Sequence, residues 1–369
     1  MPPLSLMIKP VSSLCNLRCK YCFYADETLH RNVASYGMMT TQTLEIILQK
    51  ALAQAEESIT IAFQGGEPTL IGLEFYQFAT KIVKKWNIKH IPVHYAFQTN
   101  GILLNDLWAK FFVEHDFLVG ISLDGTKKIH DCNRVDPCNL GTFETVLDRI
   151  ALLKKYHISF NILTVVTNRV AENVPTIYRF FSDNQLLYQQ YIPCISPIGT
   201  DSGSEGLTAK NYLRFLKNLF DRWYRDVAAG KFVYNQYFEN LIGILRGQMP
   251  ESCGLFGQCC MQYVAEADGS IYPCDFYVLD EYRLGNLVTD TFLQIDEKRE
   301  QIKFIEKSRE HDDACYLCRW FFLCRGGCRR DRQMADNTLG RNYLCSAYQG
   351  FFEYAMPKLL QVARSTWNN

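Results

Sequence analysis

The stretch Ser13-Leu-Cys15-Asn-Leu-Arg-Cys19-Lys-Tyr21-Cys22-Phe-Tyr24 sets three cysteines in the spacing C-x3-C-x2-C. A backbone reaches at most ~3.5 Å per residue, so a loop this short curls around a metal cluster of a few ångströms. Iron–sulfur clusters are held by cysteine thiolates, four as a rule. Three local thiolates leave one iron of a four-iron cluster open to another ligand. Zinc is the competing reading, since catalytic zinc also keeps an open position while structural zinc is closed. Against zinc stand the aromatic Tyr21 before the third cysteine and the lack of any histidine in the stretch.

Outward from this loop, strand-like and helix-like segments alternate. Leu4–Lys9 reads as a first strand feeding the loop. Thr41–Ala55 carries apolar residues at helical spacing, and Ile59–Phe63 reads as a buried strand. Leu73–Trp86 is predicted helical, Val93–Gln98 a strand, and Asn105 the cap of a helix to Glu114. Phe117–Leu123 is a strand, Thr142 caps a helix over Phe143–Tyr156, and Ser159–Val166 is a strand. A helix over Asn173–Ser182 and a strand over Leu187–Ile192 complete the alternation. The pattern predicts a parallel α/β architecture. Gly199–Gly206 reads as a loop, and helices follow over Ala209–Asp226 and Phe238–Arg246. A boundary near 235 divides a first domain (1–235) from a second (236–369).

Polar motifs fall at the carboxyl ends of the strands: Cys15–Cys22, Gln64-Gly65-Gly66-Glu67-Pro68, Gln98–Gly101, Ser122–Gly125 and Cys194. In β/α barrels that end carries the active site, so the motifs are expected to share one pocket.

Composition narrows the function. Lys plus Arg and Asp plus Glu are both 39, so no basic field points to nucleic acid. No segment approaches the ~18 apolar residues of a membrane helix, and the N-terminal apolar run is too short for a signal peptide. A cytoplasmic enzyme is expected. In the reducing cytosol, fifteen cysteines read as metal ligands rather than disulfides. Three lie near the start and nine from Cys253 onward, which suggests a cofactor site at each end.

Cys15, Cys19 and Cys22, with Tyr21, resemble the C-x3-C-x-aromatic-C signature of the radical S-adenosylmethionine (AdoMet) superfamily. The resemblance implies a partial (β/α)6 TIM-like barrel whose open iron binds AdoMet and cleaves it to a 5′-deoxyadenosyl radical. Gly65-Gly66-Glu67 looks like the family's GGE motif, which contacts the methionine amino group; on its own it is an ordinary strand-end turn. By the same resemblance Ser122 faces ribose hydroxyls, Arg134 the AdoMet carboxylate, and Ile195 the adenine, whose edge meets the Tyr21 backbone; the polar side chain of Asp124 also suits a ribose hydroxyl. Turn-capping, solvated and core roles remain open for Ser122 and Asp124, for Arg134, and for Ile195 respectively.

The C-terminal cysteines resemble the SPASM extension, which carries two auxiliary four-iron clusters. The family pattern assigns Cys253, Cys259, Cys274 and Cys328 to one, and Cys315, Cys318, Cys324 and Cys345 to the other. Spacing leaves Cys260 open as an alternative to Cys259, and paired zinc sites remain the alternative for the whole field. Arg319, Arg325, Arg329 and Arg330 lie among these ligands. They read either as charges that raise cluster potentials or as a solvated face. Cys132, Cys138 and Cys194 have no cluster spacing.

Along its whole length the chain looks like an anaerobic sulfatase-maturating enzyme. The resemblance rests on Pro10-x4-Cys15, Asn32-Val-x-Ser-Tyr-Gly37, Ala62–Pro68, Asp268–Asp280 and Gly326-Gly-Cys-Arg-Arg330. It implies oxidation of a cysteine or serine, in a Cys/Ser-x-Pro-x-Arg segment of an unfolded or nascent sulfatase, to Cα-formylglycine. Asp275, directly after Cys274, would remove the thiol or hydroxyl proton. Gln64 and Tyr24 sit where they could touch substrate. Three [4Fe–4S] clusters, AdoMet and an electron donor such as flavodoxin or ferredoxin are implied, with no nucleic acid and no membrane. The alternatives are a radical AdoMet maturase that cross-links or epimerises a ribosomal peptide, and a non-catalytic metal scaffold. Whether cysteine or serine is preferred, which sulfatase is modified, and the oligomeric state are not legible.

Overall fold

Parallel pairing organises the chain, because apolar runs of five to seven residues are joined by helices long enough to return each strand to the same end. A computed structural model describes residues 3–200, 207–332, 334 and 338–365. It divides into two compact units, 1–123 with 131–160 and 261–304, and 124–130 with 161–260 and 305–369.

In the first unit, β1 (Leu4–Ile8), β2 (Ile59–Phe63), β3 (Val93–Thr99) and β4 (Phe117–Ser122) pair in parallel, in chain order. Leu4 lies opposite Ile59 and Ile8 opposite Phe63, so β1 and β2 end together. Of the helices that cover this sheet, Asp106–Glu114 starts as expected, with Asn105 Oδ1 accepting from the Leu107 and Trp108 amides at 3.0 and 3.2 Å. Thr142 does not cap its helix (Phe143–Lys155); its hydroxyl donates to the Arg134 carbonyl at 3.0 Å. Phe63, Tyr76, Phe97, Trp108, Phe112 and Phe117 fill the space between sheet and helices.

The other edge of β1 is also paired. β8 (Tyr263–Ala265) runs parallel to it, with Leu6 opposite Tyr263, and β9 (Ser270–Tyr272) and β10 (Gly285–Asn286) continue antiparallel. An unpaired strand edge leaves a row of unsatisfied amides and carbonyls, and residues far along the chain close it here. A short helix, α1 (Phe23–Leu29), follows Cys22 directly and is absent from the sequence expectations.

In the second unit, β5 (Phe160–Val166, its first residue in the first unit), β6 (Tyr188–Pro193) and β7 (Tyr234–Asn235) pair in parallel. Helices Ala209–Ala228, Gln236–Leu245 and Cys345–Arg364 meet over Phe220, Phe238 and Phe351, with ring centroids 5.3 to 5.8 Å apart. The expected loop at Gly199–Gly206 lies largely outside the described residues, in 201–206. Among the described residues no helix is long and apolar enough to cross a membrane.

Candidate active site and cysteine centres

The cysteine loop leaves β1 and is fastened from two sides. The Leu14 carbonyl accepts the Glu67 amide at 2.8 Å. The Arg18 and Lys20 amides donate to the Val135 and Asn133 carbonyls at 2.7 and 3.1 Å. Cys15, Cys19 and Cys22 are half-buried. Burial pushes the Cys15 thiol up to about 12; the Leu17 amide opposes this, and Glu67, Cys19 and Cys22 add to it. Metal binding removes that obstacle by replacing the Cys15 proton. Three cysteines on one short loop are the donor type of an iron–sulfur cluster.

The glycine pair after β2 is required by close packing. A Cβ on Gly66, whose φ is +55°, would stand 2.1 Å from the Leu14 carbonyl oxygen. Glu67 is buried, and its carboxylate accepts from the Thr69 amide (3.1 Å) and from the Thr69 hydroxyl, the Thr99 hydroxyl and the Asn100 amide (each 2.7 Å). Asn100 Nδ2 donates to Asn16 Oδ1 at 2.8 Å, inside the cysteine loop, with the Cys15 sulfur 3.9 Å away. Glu67 thus ties the ends of β2 and β3 to the loop. Its oxygens are engaged by groups of the chain itself.

Tyr21 has the Arg134 guanidinium over its ring at 5.4 Å, and Arg134 is largely buried. Ser122, at the end of β4, accepts a bond from Gln98 Nε2 at 3.3 Å. In the second unit, the Asp124 carboxylate accepts the Val165 amide at 3.1 Å, while Ile195 is half-buried just beyond β6.

Asp275 opens a turn after β9 and is buried. Its Oδ2 accepts from the Tyr24 hydroxyl at 2.6 Å and from Gln64 Nε2 at 2.9 Å; Gln64 Nε2 also reaches Tyr24 at 2.9 Å. Its Oδ1 has no hydrogen-bond partner among the described residues. Phe23 packs on Phe276 with centroids 4.9 Å apart, seating α1 on this turn. Burial holds Asp275 above the ordinary carboxylate range, opposed by the Lys9 ammonium and the Tyr24 and Gln64 donors.

Beneath this group lies a buried charge cluster. Lys9 Nζ is 3.2 Å from Glu266 and 3.9 Å from Glu27, and Arg31 bonds the same Glu266 oxygen at 2.8 Å. Burial pushes Glu27 up to about 8 despite the pull of Lys9. Burial also opposes the charge on Lys9, but Glu266, Glu27 and Asp275 outweigh it and raise its pKa.

In the second unit, Cys315, Cys318, Cys324 and Cys345 line one cavity with Trp320, Phe321 and Tyr348. Burial pushes Cys324 up to about 11, with the Gly326 amide opposing and Cys345, Cys318 and Cys315 adding. Cys328 is raised by burial and by nearby Asp331, Cys253 and Cys259. Cys274 lies in the first unit, after β9. All fifteen cysteines are free thiols. Among the described residues no three Cys, His, Asp or Glu side chains close on a single metal ion.

The family model for the Radical SAM superfamily matches residues 10–181, and that for an iron–sulfur cluster-binding domain, SPASM, matches 257–319. A cysteine-type anaerobic sulfatase-maturating enzyme of Clostridium perfringens is 46% identical over 368 residues, spanning 99% of this chain and 100% of that one. The chain belongs to the anaerobic sulfatase-maturating enzymes. A serine-type member from Bacteroides thetaiotaomicron is 31% identical, covering 96% and 90% of the two chains. A solved structure described as native anSMEcpe with bound AdoMet and Cp18Cys peptide superposes with a TM-score of 0.93 at 46% identity, covering 98% and 99%.

The expected fold class, an α/β partial barrel followed by a cysteine-rich SPASM domain, stands. So do a radical AdoMet enzyme and its cofactors, AdoMet and three [4Fe–4S] clusters. For a maturating enzyme of this family, the expectations missed Lys9, Asn16, Glu27, Arg31 and Glu266, and placed Asn100 only within the Gln98–Gly101 motif, without a role. One signal was present for Lys9: a cation closing an apolar strand, just before Pro10. The others come together only in space.

Proposed function

We propose that this enzyme oxidises a cysteine, within a Cys-x-Pro-x-Arg segment of an unfolded or nascent sulfatase, to Cα-formylglycine. The observation that carries the reading is the asymmetry of Asp275. One oxygen is gripped by Tyr24 and Gln64, and the other has no hydrogen-bond partner among the described residues. A general base needs a free lone pair within reach of its proton and a pKa near the working range; burial moves Asp275 that way.

Cys15, Cys19 and Cys22 would hold the cluster that binds AdoMet, with Gly65, Gly66, Glu67, Ser122, Asp124, Arg134, Ile195 and Tyr21 around the ligand. Of these, Gly66 brings backbone to the loop at Leu14, Gly65 packs on the Lys9 stem, and Glu67 acts through Asn100. AdoMet and the clusters supply the carbon radical that takes a hydrogen atom from the substrate Cβ, and the sink for the electron left behind. Asp275 Oδ1 takes the thiol proton, and Tyr24 and Gln64 hold the carboxylate in place as its charge is lost. Loss of hydrogen atom, proton and electron leaves a thioaldehyde. Water then hydrolyses it to the aldehyde and sulfide.

Cys253, Cys259, Cys274 and Cys328 form one auxiliary set, and Cys315, Cys318, Cys324 and Cys345 the other. Cys259 is favoured over Cys260 because it neighbours both Cys253 and Cys328, whereas Cys260 acts on Cys253. The proposed sequence domains, 1–235 and 236–369, follow the family matches at 10–181 and 257–319, whereas the compact units of the fold cross that boundary. Cysteine is favoured over serine by the 46% against 31% identity to the two types of relative. The electron donor is a small redox protein such as flavodoxin or ferredoxin. The site of action is the cytoplasm, whose reducing state suits fifteen free thiols.

Anaerobic incubation of the reconstituted enzyme with AdoMet, a reductant and a Cys-x-Pro-x-Arg peptide tests this. Mass spectrometry is expected to show sulfur lost and an aldehyde gained. Asp275→Asn should cut that product by roughly 10²-fold or more while AdoMet cleavage continues. A cross-linked or epimerised peptide, or undiminished product from Asp275→Asn, overturns the reading.

A further inference from the structure

Lys9 is fully buried, and its ammonium makes no hydrogen bond of good geometry. It is not the sole counter-charge of Glu266, because Arg31 bonds the same carboxylate oxygen, although Lys9 is the larger electrostatic support of that carboxylate. A buried ammonium without hydrogen bonds is costly to keep, so its place calls for an explanation.

That place is under both donors to Asp275. The ammonium lies 4.7 Å from the centre of the Tyr24 ring, within cation–π range. The aliphatic stem fills the space beside Gly65, where a Cβ would stand 2.7 Å from Lys9 Cγ. Gly65 is joined to Gln64, whose amide is bonded to the Ile8 carbonyl, one residue before Lys9. The Lys9 amide donates to the Ala265 carbonyl at 2.8 Å, fixing the residue between β2 and β8. Glu27, 3.9 Å from the ammonium, stands one turn after Tyr24 on α1.

We propose that Lys9 is a positioning residue for proton removal. Held between Glu266 and Glu27, it fixes Tyr24 and Gln64 on one oxygen of Asp275, so that the other oxygen stays directed at the substrate. The proposal rests on the reading of Asp275 as the base.

Lys9→Met keeps the stem beside Gly65 and removes the charge. With the three-cluster enzyme and the peptide substrate, formylglycine formation should fall by roughly 10- to 100-fold, the range for supporting partners of a site. The loss should lie in kcat and not in the KM for peptide, and AdoMet should be cleaved without product. In an Asp275→Asn background, Lys9→Met should change the residual rate by no more than about two-fold, since residues acting through one another are not additive.

Where Lys9→Met fails to load its clusters, Lys9→Gln, which offers Glu266 a neutral donor, carries the same comparison. Wild-type product per AdoMet cleaved in either variant, or full losses that multiply in the double variant, overturns the proposal. If the wild-type enzyme makes no formylglycine, the premise about Asp275 fails. That outcome is distinct from the two before it.

Discussion

The first cysteine loop and the distal cysteine field use the same ligand in different electrostatic company. Around Cys15 the charged neighbours are Glu67 and two further thiols, all of which resist an added negative charge, against a single opposing amide. In the distal field, guanidinium groups work the other way. Arg329 and Arg332 act on Cys259, and Arg341 on Cys315 and Cys345, although Asp312 and Asp331 offset part of this. Cluster potentials follow net charge, hydrogen bonds to sulfur and burial. Surroundings that disfavour negative charge make a reluctant acceptor and a strong donor. Surroundings with cations do the reverse. Burial raises the thiols in both places; the two differ in whether cations stand among their neighbours.

The most severe way to break this contrast is to remove one side of it. Changing Cys15, Cys19 and Cys22 together to Ala should abolish AdoMet cleavage and lower iron from about twelve to about eight per chain, four per cluster. Iron near zero would show that the distal field does not hold clusters by itself. A subtler change sharpens the contrast: Arg341→Met should move one auxiliary potential to more negative values, read by anaerobic redox titration, and leave the proximal one unmoved. An unchanged distal potential would remove the arginines from the explanation.

The smallest expected effect concerns Glu27, whose carboxyl is pushed up to about 8 from an ordinary value near 4.5. Between those values the folded chain keeps a proton that the unfolded chain has released, so stability falls as pH rises through the window. Glu27→Gln should therefore raise the melting temperature relative to wild type by roughly 2–5 °C near pH 8, with less gain near pH 5. An equal gain at both pH values would place the effect elsewhere.

Much of the architecture was legible because each strand is a local apolar run. Leu73–Trp86 and the Asn105 cap emerge where spacing placed them. Helix α1 was not legible: seven residues with Asp26 and Glu27 among them show no helical stripe, and its order comes from Phe23 on Phe276. Thr142 had the right residue type for a cap, but its backbone sits at φ −114°, ψ 1° instead of the extended conformation a cap adopts, and its hydroxyl turns to the Arg134 carbonyl. Glu67 was legible as a motif residue, yet its four partners lie at residues 69, 99 and 100, beyond what a short motif reveals. The cysteine spacings were readable because a cluster ligand set is partly local. The Lys9 group was not, since Glu266 and Asp275, which complete it, lie about 250 positions from Lys9 and Tyr24.

The pairing of β8 with β1 has a consequence for how the enzyme is made. While the chain is being synthesised, the outer edge of its first strand stays open until Tyr263–Ala265 has emerged. Contacts so distant in sequence form late, because closing long loops must precede their reward. A nascent chain therefore completes its first cysteine loop before Asp275, the proposed proton acceptor, has been made. Asp275 arrives with the same segment that seals the sheet, so maturation of substrate waits on completion of the fold.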